Sequence, residues 1–118
     1  MTTAFTKTGG ESFNNHESNL IQWVLAAGES GDAFLLPGYA DRSVQVFGTF
    51  GGASVVFEGS NQDGTPATYA TLSDPQGNGL TFTAAGLKAV LEMTRVVRPR
   101  VIGGDGTTSL TIILFAKR

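Results

Sequence analysis

Arg95, Arg98 and Arg100 form the densest cluster of like charge in the chain, with Pro99 between the last two. Side chains alternate between the faces of a strand, so Arg98 and Arg100 share one face, where forked guanidiniums could grip carboxylates across an interface. The same spacing also describes a merely solvated strand face, since exposed ion pairs contribute little. Pro99 has no N–H and is confined in sheets to edges and bulges. That predicts an edge strand bearing arginines, usable for contact or for blocking aggregation.

Other chemistry is harder to assemble. The single histidine, His16, stands beside Glu17 in a polar segment, and one histidine acts as a base or ligand only with partners brought in by folding, so a surface histidine is expected. Asn61, Asp63 and Gly64 match a fragment of a calcium loop, but the other acidic ligands and the terminal Glu are missing. Gly48-Thr-Phe-Gly-Gly52 lacks the Lys-Ser/Thr ending of a phosphate cradle and leads into strand-forming residues, so it reads as a hairpin turn. Asp41 and Glu58 could converge as paired carboxylates, yet no spacing marks a glycosidase dyad. With no cysteine there is no disulfide, thiolate-bound zinc or thiol nucleophile. No catalytic residue, metal site or cofactor is expected.

Composition narrows the class. The 118 residues suit one domain, and 41% hydrophobic with 15% charged residues is too apolar for disorder and leaves much of the surface available for contact. Eight Lys and Arg against ten Asp and Glu give a net charge of -2, without the basic footprint of a nucleic-acid binder. The N-terminal residues lack an apolar signal core, and no apolar run approaches the roughly 20 residues that span a bilayer. The expected partners therefore include neither nucleic acid nor membrane, and synthesis in the cytoplasm without an export signal is expected.

The elements that position these residues read as strands between glycine-rich turns. Asn19–Ala27 is closed by Gly28 and Gly31 and carries Ile21, Trp23 and Val24, which favours a strand over a short helix. Further strands are expected over 32–36, 43–50, 53–59, 67–72, 80–83, 95–102 and 109–115, with turns at Pro37-Gly38, Gly51-Gly52, Asn61–Pro66, Asp74–Gly79 and Gly103–Gly106. In the second of these Val44 and Val46 share a face opposite Gln45. Residues 53–59 return through Gly51-Gly52 as a hairpin, and the apolar 109–115 lies centrally in a sheet. In 84–94, Leu87, Val90 and Leu91 fit a helical template, but Gly86 interrupts its start; a strand or one helical turn is expected. The turn spacing is that of an all-β, antiparallel sandwich or barrel.

Residues 1–16 read as an extended N-terminal arm, whose Phe5 and Phe13 could dock on its own sheet or on a neighbour, and 17–118 as a single β-sandwich domain. Trp23, Phe34, Phe47 and Phe57 are core candidates, while Phe50, at the tip of the expected hairpin, is available as an anchor.

The run Gly48-Thr-Phe-Gly-Gly-Ala-Ser-Val-Val-Phe-Glu-Gly-Ser-Asn-Gln-Asp-Gly64, followed by Ala70-Thr-Leu-Ser-Asp74 and Arg95-Val-Val-Arg-Pro-Arg-Val-Ile-Gly-Gly104, resembles small structural proteins of tailed-bacteriophage virions. Over most of its length the chain looks like the capsid cement, or decoration, proteins of short-tailed phages. That resemblance implies a jelly-roll-like module on the exterior of the virion, made in the bacterial host, stapling adjacent major capsid subunits and requiring no active site. It implies two partners: the major capsid protein, and the chain itself as a dimer or trimer. The expected contact residues are Phe5, Phe13, Phe50, Arg98, Arg100, Lys117 and Arg118. Related Ser-Asn-Asp-Gly hairpins occur in tail and carbohydrate-binding β domains, commonly with a Trp shortly after the Gly. Here Gln62 is inserted and Thr65-Pro-Ala-Thr-Tyr69 stands where the Trp would fall. A carbohydrate-binding or adaptor module of a phage tail or baseplate is therefore the alternative.

Overall fold

A computed structural model describes residues 2–9, 18–36 and 38–117. Twelve strands are formed among them: β1 (Thr2–Thr3), β2 (Thr6–Gly9), β3 (Ser18–Leu25), β4 (Ser30–Gly31), β5 (Phe34–Leu35), β6 (Asp41–Thr49), β7 (Ser54–Ser60), β8 (Ala70–Thr71), β9 (Thr81–Phe82), β10 (Gly86–Ala89), β11 (Val96–Ile102) and β12 (Ser109–Lys117). They build two sheets. One has the order β10-β6-β12-β3-β2; the other runs β1-β4-β11-β7-β8, with β5 also paired to β11 and β9 to β7. All pairings are antiparallel except β1 with β4. The expected all-β, jelly-roll-like antiparallel sandwich is the fold observed.

Period-two burial explains the five-stranded sheet. Ile21, Trp23 and Leu25 of β3 point inward, as do Leu110, Ile112 and Leu114 of β12 and Val44 and Val46 of β6. The register places Trp23, Ile112 and Val46 side by side. Each such fully buried aliphatic side chain contributes roughly 1.5–3 kcal/mol relative to exposure. As expected, β12 is central. Opposite it, Val55 and Phe57 of β7 and Val97 and Val101 of β11 close the core, with Phe57 edge-on to Trp23 at 6.3 Å between centroids.

The N-terminal residues tie the two sheets together. β1 joins one sheet through β4, β2 joins the other through β3, and Phe5 between them packs edge-on against Trp23 and Phe34 at 5.9 and 5.5 Å. Of the two docking options, Phe5 takes its own sandwich.

Three local expectations are corrected. Gly51-Gly52 does form a tight turn: both glycines have positive φ (57° and 83°), and Ala53 N–H donates to Phe50 O at 2.9 Å. Yet β6 and β7 belong to different sheets, so the turn is a corner between layers and not a hairpin. β7 is buried along nearly its whole length and pairs with β11, whereas β6 has one open face. Second, β11 is not an edge strand, because it lies between β7 and the short strands β4 and β5. The Val101 N–H and the Arg95 carbonyl both point toward β4 and β5. By alternation Pro99's missing donor faces the break between those two strands, the bulge-like position that proline tolerates. Third, Phe47 is on the outer face of its sheet and 40% exposed, whereas Phe50 packs against the core. Alternation requires this, since Val46 points inward and its neighbour must point out.

The expected strand at 67–72 shrinks to β8. The backbone N–H groups of Ala67 and Thr68 donate to Gln62 Oε1, both at 2.8 Å, and not to a neighbouring strand. In 84–94 the chain forms β10 against β6, with Leu87 exposed and Val90 buried, so the helical spacing of apolar residues is coincidental.

Candidate functional site

The arginine face is assembled by β11 and β7. Register sets Arg98 against Glu58 and Arg100 against Val56. Glu58, with its side chain 4% exposed, accepts from Arg98 Nε at 2.8 Å through Oε2 and from Arg100 Nε at 3.2 Å through Oε1. Such charge-assisted bonds are stronger than neutral ones and satisfy a carboxylate that would be costly to bury alone. Above Glu58, the Arg98 guanidinium stacks on the Tyr69 ring at 3.8 Å from its centroid, a cation–π contact. Arg98 and Arg100 do share a face and grip a carboxylate, but the carboxylate belongs to their own chain.

Arg95 is held by the loop after β7. Its backbone N–H donates to Asn61 Oδ1 at 2.9 Å, its Nη1 to the Gln62 carbonyl at 3.0 Å, and its Nη2 lies 3.6 Å from the exposed Asp63 carboxylate. The residues that suggested a calcium loop are thereby used as an arginine clasp.

Tyr69 is the ridge between two open grooves. One, of about 470 Å³, is lined by Asn61, Gln62, Thr68, Glu92 and Thr94 among others. The second, of about 320 Å³, is lined by Asp32, Leu35, Pro66, Arg95 and Arg98 among others. Three side-chain acceptor oxygens of the first are engaged within the chain: Asn61 Oδ1 and Gln62 Oε1 as above, and Glu92 Oε1 by Ser73 N–H at 2.6 Å. That bond holds the Glu92 carboxyl below the usual carboxylate range, with burial opposing.

Sequence reasoning missed Arg42. On β6 it is only 6% exposed, and its Nε and Nη1 have no hydrogen-bond partner among the described residues. Burial lowers its pKa, while the charges of Glu92 and Asp41 oppose that shift. An arginine just ahead of the expected strand 43–50 carries no signal that the opposite sheet will cover it.

Of the other expected contact residues, Phe50 is partly buried, and its carbonyl accepts from Thr108 Oγ1 at 2.9 Å. Lys117 is exposed at the end of β12. Phe13 and Arg118, like His16 and Glu17, lie outside the described residues. The structure thus brings Arg98 and Arg100 together and leaves Phe5, Phe50 and Lys117 at separate places.

The outer face of the five-stranded sheet is the largest feature not anticipated. Leu20, Val24, Phe47 and Leu87 are exposed on it, and Ile113 and Phe115 half-buried.

No protein-family model matches the chain, and no curated protein sequence matches it. Among solved structures, the SPBc2 prophage-derived protein YomS is similar over 86% of this chain and 95% of its own, with a TM-score of 0.64 at 11% identity. A cupin domain from Bordetella pertussis is similar over 100% of this chain and 97% of its own, with a TM-score of 0.50 at 12% identity. At these identities the likeness is one of fold: a jelly-roll-like β-sandwich occurring in a prophage-derived protein and in a cupin domain.

Proposed function

We propose that this chain is a non-catalytic structural protein of a bacteriophage virion, one that self-associates, binds the outer surface of the icosahedral shell and bridges adjacent major capsid subunits. The observation that supports the phage assignment is the structural likeness to a prophage-derived protein over 86% of this chain and 95% of that one. It agrees with the sequence resemblance to capsid cement proteins. The rest of the reading is supported by how the side chains are used. Both arginines are engaged by Glu58 within the chain, and the outer face of the five-stranded sheet, with Leu20, Val24, Phe47 and Leu87 exposed, is left without charged residues across three cross-strand rows. A stapling protein acts through many modest contacts multiplied by the lattice. Depleting it from particles is expected to lower the shell's resistance to heat and chelators; unchanged resistance would overturn the stapling role.

The groove beside Tyr69 favours one alternative, a carbohydrate-binding or adaptor module of a tail or baseplate. An aromatic ring flanked by amides and an acid suits a sugar, although one face of Tyr69 is occupied by Arg98. Glycan-array binding abolished by Tyr69→Ala would support it over capsid stapling.

A further inference from the structure

The two outer faces of the sandwich differ in kind. One carries Glu58, Arg98 and Arg100. The other, on the five-stranded sheet, has three consecutive cross-strand rows without a charged residue. The register gives Phe47, Thr111 and Val24 in the first row. The second holds Leu87, Gln45, Ile113, Gln22 and Thr6, and the third includes Ala89, Ser43, Phe115 and Leu20. Ile113 is at the centre, on the middle strand of the middle row.

We propose that this face is the surface through which two copies of the chain dock, sheet on sheet, around a two-fold axis passing near Ile113. Its size fits a weak, reversible contact. Five strands at about 4.8 Å spacing and the five residues spanned by the three rows at about 3.4 Å each give a face of roughly 400 Å². Two copies would bury about 800 Å², the scale of a transient interface and not of an obligate one. Its chemistry fits a self-complementary contact as well. A two-fold interface sets a patch against itself, so any net charge would meet its like, and these rows have none. Either two-fold axis lying in the plane of the interface brings Ile113 onto its copy and an amide of Gln22 or Gln45 onto another amide, and amides can both donate and accept. The uncharged centre, Ile113 between Gln22 and Gln45, lies inside the exposed Lys117 and Asp41 beyond the third row, as the core of an interface lies inside its charged rim.

This deepens the self-association in the proposed function and requires no capsid, so its failure and the failure of the virion role are separable. The full chain is expected to sediment as a dimer at tens of micromolar. Phe47→Lys and Ile113→Lys should each weaken dimerisation at least tenfold while keeping the wild-type β-sheet circular dichroism. Should either variant misfold, the absence of native cysteine supplies a second test. Ile113→Cys is expected to form a disulfide-linked dimer on mild oxidation, and Thr81→Cys, exposed on the other sheet, is not. A monomeric wild type, or a dimer indifferent to both lysines, would overturn the proposal. So would an Ile113→Cys protein that stays uncross-linked. A wild type that is monomeric alone but loses shell binding on Phe47→Lys would assign the face to the capsid instead.

Discussion

Arg98 Nε sits 2.8 Å from Glu58 Oε2, and the other oxygen of the same carboxylate accepts from Arg100 at 3.2 Å. One buried acid on β7 thereby fixes two arginines on β11. Glu58→Gln leaves two cations without their counter-charge and should lower stability by about 2–3 kcal/mol. Arg100→Met, whose side chain is 41% exposed, should cost under about 1 kcal/mol. Arg98→Met should cost more than Arg100→Met because it also loses the Tyr69 stack. Urea denaturation of the three variants checks the order.

Gly31 lies where β4 crosses the indole of Trp23. A Cβ there would run into Trp23 Cδ1 and Nε1 and sit 2.9 Å from Pro99 Cδ. Trp23 cannot move aside easily, since its Nε1 donates to the Asp32 carbonyl at 2.9 Å. Gly31→Ala should therefore destabilise by about 1–3 kcal/mol through overpacking. Thermal unfolding would measure it, and the near-ultraviolet tryptophan signal should change with it.

Acid should weaken the fold. Asp74 Oδ1 accepts the backbone N–H of Gln76 at 3.0 Å and of Asn78 at 2.9 Å, and Asp105 Oδ1 accepts Thr107 Oγ1 at 2.6 Å and Thr107 N–H at 2.8 Å. These bonds, led by Asn78 for Asp74 and by the Thr107 hydroxyl for Asp105, hold both carboxyls below their usual range, as Ser73 does for Glu92. A carboxylate whose folded pKa is depressed stabilises fully above its unfolded pKa, near 4, and loses that contribution as pH falls through the lower folded value. Stability should be flat above about pH 5 and decline below about pH 4. Asp74→Asn should lower stability at neutral pH and flatten the acid decline, which a pH series of urea midpoints would show.

Arg42 reverses the usual expectation for removing a charge. With Nε and Nη1 unpartnered among the described residues and the group buried, Arg42→Met exchanges an incompletely satisfied cation for an apolar chain of similar length. Stability should be unchanged or higher by about 1 kcal/mol. A loss above about 2 kcal/mol would show that the guanidinium is compensated in solution.

Legibility in sequence followed the range of each signal. Val44 and Val46 fix the inner face of β6, and the same alternation puts Phe47 outside although its residue type suits a core. Gly51-Gly52 marked a turn correctly. Which sheet each flanking strand joins is set by β12 and β11, some 50 residues later in the chain, and turn chemistry does not carry that information. Pro99 signalled an edge or a bulge, and only the two-piece strand opposite it, β4 and β5, decides between them. The shared face of Arg98 and Arg100 was legible. Their partner was not, because Glu58 lies 40 residues before Arg98.

The proposed virion role stands or falls on mass-spectrometric quantification of phage particles purified from the source of this coding sequence. The protein is expected in the particle at a fixed ratio to the major capsid protein, on the exterior of full heads. Its absence from the particles, or its presence only with the tail, would contradict it.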